Sequence, residues 1–348
     1  MTKILRRHRA LILALSGLGL AQTRCGSSPT DFFAGTAGIS AAGKNAAGAA
    51  HANAGSAGSV GGSGGTGDEA GAGGVAVSSE FVFDSQVLPT SSSSYALDLD
   101  GDAKPENAYG RVLSALSAYG LPAQAAADTE LAAGRGLQLL AVEVPSNSAS
   151  GSATLELWRA EDQANPDFGG TGSFVVDSLA PSARLGAIIM GDELNSVQAA
   201  VGETLPRLLL HLPLGGAVDL PVSVYSISFQ ITADGLTRGQ LNGAALASDV
   251  DAIVPPALAA QFDRACAGAS VQGQPCQTAL GLLDSNHDQR ISAEELRRSN
   301  AVATALAPDV KLFDAQGKFA PDSAAVVKDA LSVGFGFTAV GARISQIP

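Results

Sequence analysis

Asp284 to Glu295 reads DSNHDQRISAEE and carries oxygen donors at the spacing a hard cation needs. Calcium takes six to eight oxygens, and an EF-hand loop supplies them from positions 1, 3, 5, 7, 9 and 12. Asp284, Asn286 and Asp288 fill the first three positions, and Arg290 offers its backbone carbonyl. Ser292 serves directly or through water, and Glu295 gives the bidentate carboxylate. Ile291 is the apolar anchor, while Leu280, Leu282, Leu283 and Leu296 suit flanking helices. Gln289 stands where glycine is usual, at a strain cost on the order of 1 kcal/mol. The expected calcium Kd is in the range of extracellular modules, roughly 10⁻⁴ to 10⁻³ M.

A second acidic stretch is Asp98-x-Asp100-Gly101-Asp102-x-Lys104-x-Glu106-Asn107. Its alternating carboxylates with a turn glycine are similar to DxDGDxxxD calcium loops, with Glu106 in place of the usual Asp. Tyr109 falls at position 12, so the bidentate glutamate is missing, and this is the weaker metal site. Three aspartates this close repel one another without a cation. The competing reading is an acidic turn that caps a helix. Lys311 to Lys318 has a turn but not the ligands, and is read as structural.

Nothing comparable supports catalysis. His8, His51 and His287 fall in an N-terminal leader, a glycine-rich stretch and the calcium loop respectively. His211, within Leu208–Leu212, reads as a sheet residue, which leaves little for a histidine-dependent triad. There is no HExxH zinc motif. Paired carboxylates keep a calcium-stabilised hydrolase of envelope or extracellular polymer as the alternative function.

The elements that must position these loops follow from periodicity. Glu80–Leu88 alternates as a strand, and Asn107–Tyr119 has helical spacing through Val112, Leu113, Leu116 and Tyr119. Strands are predicted at 137–144, 153–158, 172–176, 184–189, 208–214 and 222–231, separated by polar turns. Helices are predicted at 249–266, with Pro255-Pro256 bending or delaying the first, and at 274–283 and 292–306. Strand-like alternation returns at 331–344. The expected fold is mainly β with helices: a β-sandwich-like domain with an EF-hand-containing helical insertion before the last strand. A sandwich followed by a separate helical domain is the other arrangement.

The rest of the 348 residues suggests export. Lys3, Arg6, Arg7 and Arg9 precede the apolar run Ala10–Ala21, a signal-peptide pattern too short to span a bilayer. The assignment is 1–24 signal peptide, 25–78 disordered Gly/Ala/Ser-rich tether and 79–348 β-rich domain, with the EF-hand-like helical segment at 248–307. The tether is too poor in large apolar residues to offset its conformational entropy. Cys25 is read as a lipidation site despite Arg24 before it, with cleavage after Ala21 as the competitor. Cys266 and Cys276 are close enough to pair as a disulfide in an oxidising compartment, which leaves Cys25 over. Five of the 21 basic residues precede Cys25 and no acidic residue does, so the remainder sets 16 basic against 33 acidic residues. Such a surface repels nucleic acid and anionic lipid and suits cations.

Together, Cys25-Gly-Ser-Ser, the Gly/Ala tether, YALDLDGDAKPEN (95–107), LNGAALASDV (241–250), the Cys266/Cys276 pair, LAPDVKLFD and ALSVGFGFTAVGA mark a resemblance. The chain resembles uncharacterised secreted EF-hand-type predicted lipoproteins typical of myxobacteria. The resemblance implies export and calcium binding, and supplies no mechanism. The expected location is the cell envelope, as an outer-membrane lipoprotein or in the periplasm, or alternatively the secreted fraction. The expected cofactor is Ca²⁺, and the expected partner is a surface protein or polysaccharide. Nucleic acid is excluded, and the membrane is met only through the N-terminal lipid. The role is structural or binding, with calcium and the disulfide fastening the fold.

Overall fold

The computed structural model describes residues 77–145, 151–267 and 274–345, all within one compact unit, Glu69–Pro348. The signal peptide, Cys25 and nearly all of the tether lie outside the described residues.

The chain is mainly β. In order it forms β1 (Val77–Val87), α1 (Ala108–Ala118), α2 (Ala123–Ala132), β2 (Gln138–Val144), β3 (Ser152–Arg159) and β4 (Gly172–Val175). Then come β5 (Ala183–Met190), β6 (Glu193–Ser196), β7 (Arg207–His211), β8 (Asp219–Thr232) and β9 (Gly235–Leu246). Four helices follow: α3 (Ala247–Ala267), α4 (Gln274–Leu283), α5 (Ala293–Arg298) and α6 (Asn300–Ala305). The last element is β10 (Ala330–Ser345).

The strands do not stack as the expected sandwich. Eight of them close an antiparallel barrel in the order β1-β2-β3-β5-β6-β8-β9-β10, and β10 returns to pair with β1. The closing register runs from Phe81 opposite Gly341 to Val87 opposite Gly336, with a bulge between Phe83 and Ser85. Two strands extend the wall: β7 pairs with β8, and β4 pairs parallel with β10. Sandwich and barrel demand the same alternation, since each buries one face of every strand. What differs is the pairing of first and last strands, which removes the free edges. Long strands also help: β8, β9 and β10 have 14, 12 and 16 residues, and bulges bend the β8–β9 and β9–β10 pairings.

The barrel is filled rather than hollow. Phe83 and Phe337 stack inside it with centroids 4.1 Å apart, among Leu155, Leu194, Val224 and Phe335. Helices α1 and α3 cover one end, where Leu113, Leu116, Val250 and Val254 join Leu220 and Leu331 in the same apolar cluster. A second cluster outside the wall gathers Val82, Leu139, Trp158 and Phe174. A third gathers Leu99, Leu205, Tyr225, Val310, Leu312, Phe313 and Phe319.

The helices α3 to α6 fall between β9 and β10. The single helix predicted over 292–306 is two short ones, because Ser299 is extended (φ −70°, ψ 120°) and caps both. Cys266 and Cys276 form a disulfide, with Cα atoms 5.6 Å apart, that joins α3 to α4. Among the described residues no helix is long and apolar enough to cross a membrane.

Candidate metal centre

The loop 98–106 lies on the outer wall of the barrel, beside the third apolar cluster. Its mouth is pinched by backbone bonds between Leu97 and Glu106 in both directions, 3.3 and 3.1 Å. Asp98 organises the turn: Oδ1 accepts from the Gly101 and Asp102 amides, and Oδ2 accepts from the Ala103 amide at 2.9 Å. Gly101 at φ +82° supplies the left-handed step that glycine favours, and Ala103 at φ 67° takes a second one.

Glycines on β10 explain how this loop can lie flat on the barrel. In Val333-Gly334-Phe335-Gly336-Phe337 the large side chains point into the core and the glycines face out. A Cβ on Gly334 would sit 2.2 Å from Tyr95 O, and one on Gly336 would sit 2.6 Å from the Tyr95 hydroxyl. Asn107, the N-cap of α1, rivets the loop from behind. Its Nδ2 donates to Ser94 O and Gly334 O, and its Oδ1 accepts from the amides of Gly334 and Gly110. Asn242 Nδ2 donates to Tyr95 O at 2.7 Å.

This scaffold brings four carboxylates together. One ligand oxygen each from Asp98, Asp100, Asp102 and Glu106 lies within 4.8 Å of all the others. Lys104 enters indirectly: its amide and its ammonium both hold Asp102, whose carboxyl stays below its ordinary pKa for that reason. Asp100 is only 4% exposed. Its Oδ2 accepts from Lys328 Nζ at 2.6 Å, while its Oδ1 is buried without a hydrogen-bond partner among the described residues. Glu106 Oε2 is likewise buried and unpartnered. Burial first, then the charges of Asp102 and Asp100, push the Glu106 carboxyl up to about 7. Orphaned carboxylate oxygens inside an acidic cluster are what an oxygen-seeking cation satisfies.

The loop 284–295 is arranged differently. It runs from the end of α4 to the start of α5, with Ile291 and Leu296 buried as expected. Asp284 accepts from the amides of Asp288 and Gln289, and Asn286 Nδ2 donates to Asp288. His287 and Gln289 both adopt positive φ, 60° and 66°, so the turn forms without glycine. Glu295, however, is turned into a capping box with Ser292. Its Oε2 accepts from the Ser292 amide and hydroxyl, and its Oε1 from the Ser285 amide and hydroxyl and the Asn286 amide. These bonds, led by Ser292, hold its carboxyl down near pKa 2. The Arg290 guanidinium pairs with Asp263. Among the described residues, Asp284, Asp288 and Glu295 do not form a mutual carboxylate cluster of the kind at 98–106.

Sequence reasoning did not find Lys328 or Asn242 as parts of the 98–106 site. The first is more than two hundred positions away and has no local signal. Neither of two clefts among the helices carries a charged side chain. The larger, about 180 Å³, is lined by residues such as Leu116, Phe262, Leu283 and Leu296. A scan of protein-family models, a search of curated proteins and a search of solved structures each find no match to this chain.

Proposed function

We propose that this is an exported calcium-binding protein with a structural or binding role, in which a cation at Asp98, Asp100, Asp102 and Glu106 fastens the 98–106 loop to the barrel wall. The observation that carries the reading is the pair of buried, unpartnered oxygens, Asp100 Oδ1 and Glu106 Oε2, within a four-carboxylate cluster. The loop from Asp284 to Glu295, with Asn286, Asp288, Arg290 and Ser292, is the second calcium site. Calcium must there compete with the capping-box bonds of Glu295, so it binds more weakly than at 98–106. The disulfide supports an oxidising compartment, and the basic leader, apolar run and Cys25 support export to the envelope with a lipid anchor.

A ligand that binds only the folded state stabilises it by mass action, about 2.7 kcal/mol at a hundredfold excess over Kd. For a domain of this size that is a rise in Tm of about 5 to 10 °C. Thermal unfolding of the full chain in calcium at a hundredfold excess over the measured Kd, and in chelator, reads this shift. Equal melting temperatures would reject calcium fastening.

A further inference from the structure

Of the four clustered carboxylates, Asp100 alone is buried. Its side chain is 1% exposed, and its two oxygens have different surroundings. Oδ2 meets Lys328 Nζ at 2.6 Å and the Lys311 amide at 3.5 Å, whereas Oδ1 has no hydrogen-bond partner among the described residues. A donor that occupies one oxygen of a carboxylate fixes its plane and leaves the other oxygen to an ion. Lys328 is itself held in place. The neighbouring Asp329 accepts from the amides of Leu312 and Phe313 and from Lys311 Nζ, at 2.9, 3.1 and 2.6 Å. That backbone belongs to the segment whose Val310, Leu312, Phe313 and Phe319 pack with Leu99 of the loop. The lysine thus approaches Asp100 from a strap anchored on both its polar and its apolar side.

We propose that Lys328 is the positioning residue of the cation site: its ammonium orients Asp100 so that Oδ1 is presented to the bound ion. This rests on the reading of Asp98, Asp100, Asp102 and Glu106 as a cation site. An ammonium beside a cation also repels it, and a lysine acting as competitor would have the opposite effect on affinity. The arrangement favours positioning, because the lysine takes Oδ2 and leaves Oδ1 free.

Calcium titration calorimetry on the full chain separates these cases. Lys328→Met removes the ammonium at similar side-chain length. Lys328→Cys removes it too, and aminoethylation with 2-bromoethylamine then rebuilds an ammonium at the same place. Wild type treated with the same reagent controls for alkylation elsewhere. Calcium affinity is expected to fall about 10- to 100-fold in both variants, the usual effect of losing an outer-shell partner, and to recover at least tenfold on aminoethylation. Melting in chelator is measured alongside: a merely structural lysine would lower that melting temperature and leave calcium affinity unmoved, which overturns the proposal. Unchanged or tighter binding by the variants also overturns it. If Lys328→Met does not fold, the Lys328→Cys pair gives the same readout. A wild type that takes no calcium is a different failure, that of the cation reading itself.

Discussion

His211 sits on β7 with its Nδ1 3.0 Å from Asp219 Oδ1, across the strand pair. The other Asp219 oxygen meets the Arg159 guanidinium, which also reaches Asp162. Gly136 turns over the imidazole at φ +66°, so close that a Cβ there would lie 2.4 Å from His211 Cβ. Burial first, and the Arg159 charge second, hold the His211 pKa below its ordinary 6.5, against the pull of Glu130 and Asp162. Between the folded and unfolded pKa values the unfolded chain binds more protons at this residue, so stability falls as pH drops through that window. Unfolding in urea between pH 6.5 and 5 is expected to show wild type losing stability faster than His211→Gln. Equal slopes would contradict the assignment. The sheet role of His211 was legible from the apolar residues around it. Its partners were not, because Arg159, Asp162 and Asp219 belong to strands and turns that meet only through pairing.

At the scale of elements, the glycines of β10 matter most to the site. Gly334→Ala would place a methyl against Tyr95 O and the side-chain amide of Asn242, forcing the 95–107 segment off the wall. We expect a loss of roughly 1 to 3 kcal/mol in urea unfolding, the usual cost of overpacking. Gly281→Ala is the control, since that position on α4 has open space around it and alanine favours helix. Equal stability of Gly334→Ala and wild type would mean that the loop is not held as described. Elements with strong periodicity were readable: α4 begins and ends where its pattern does, and α1 matches to within a residue. Strand β9 was missed because Gly235, Gly239, Gly243, Ala244 and Ala245 give it little β-propensity. Its place is set by β8 and β10 on either side. Helix α2, rich in alanine, was missed for want of an apolar stripe.

For the whole molecule, the alternating strands and the acidic loops were both visible in the sequence, but the closure of the strands into a barrel was not. The loop from Asp284 to Glu295 holds the more complete set of ligand types. Glu295 nevertheless closes a capping box with Ser292, a pairing that the Ser292-x-x-Glu295 spacing equally encodes. The loop from Asp98 to Glu106 lacks a twelfth-position carboxylate, yet barrel closure sets it against Lys328 from a segment that precedes the last strand. Closure itself depends on β1 meeting β10, the longest-range pairing in the sheet. The proposed principal cation site is the cluster on the barrel wall. Calcium calorimetry of wild type, Asp100→Asn and Glu295→Gln tests it most directly. Asp100→Asn is expected to abolish the tighter binding event, while Glu295→Gln retains it. Loss of that event in Glu295→Gln, with Asp100→Asn binding as wild type, would contradict it.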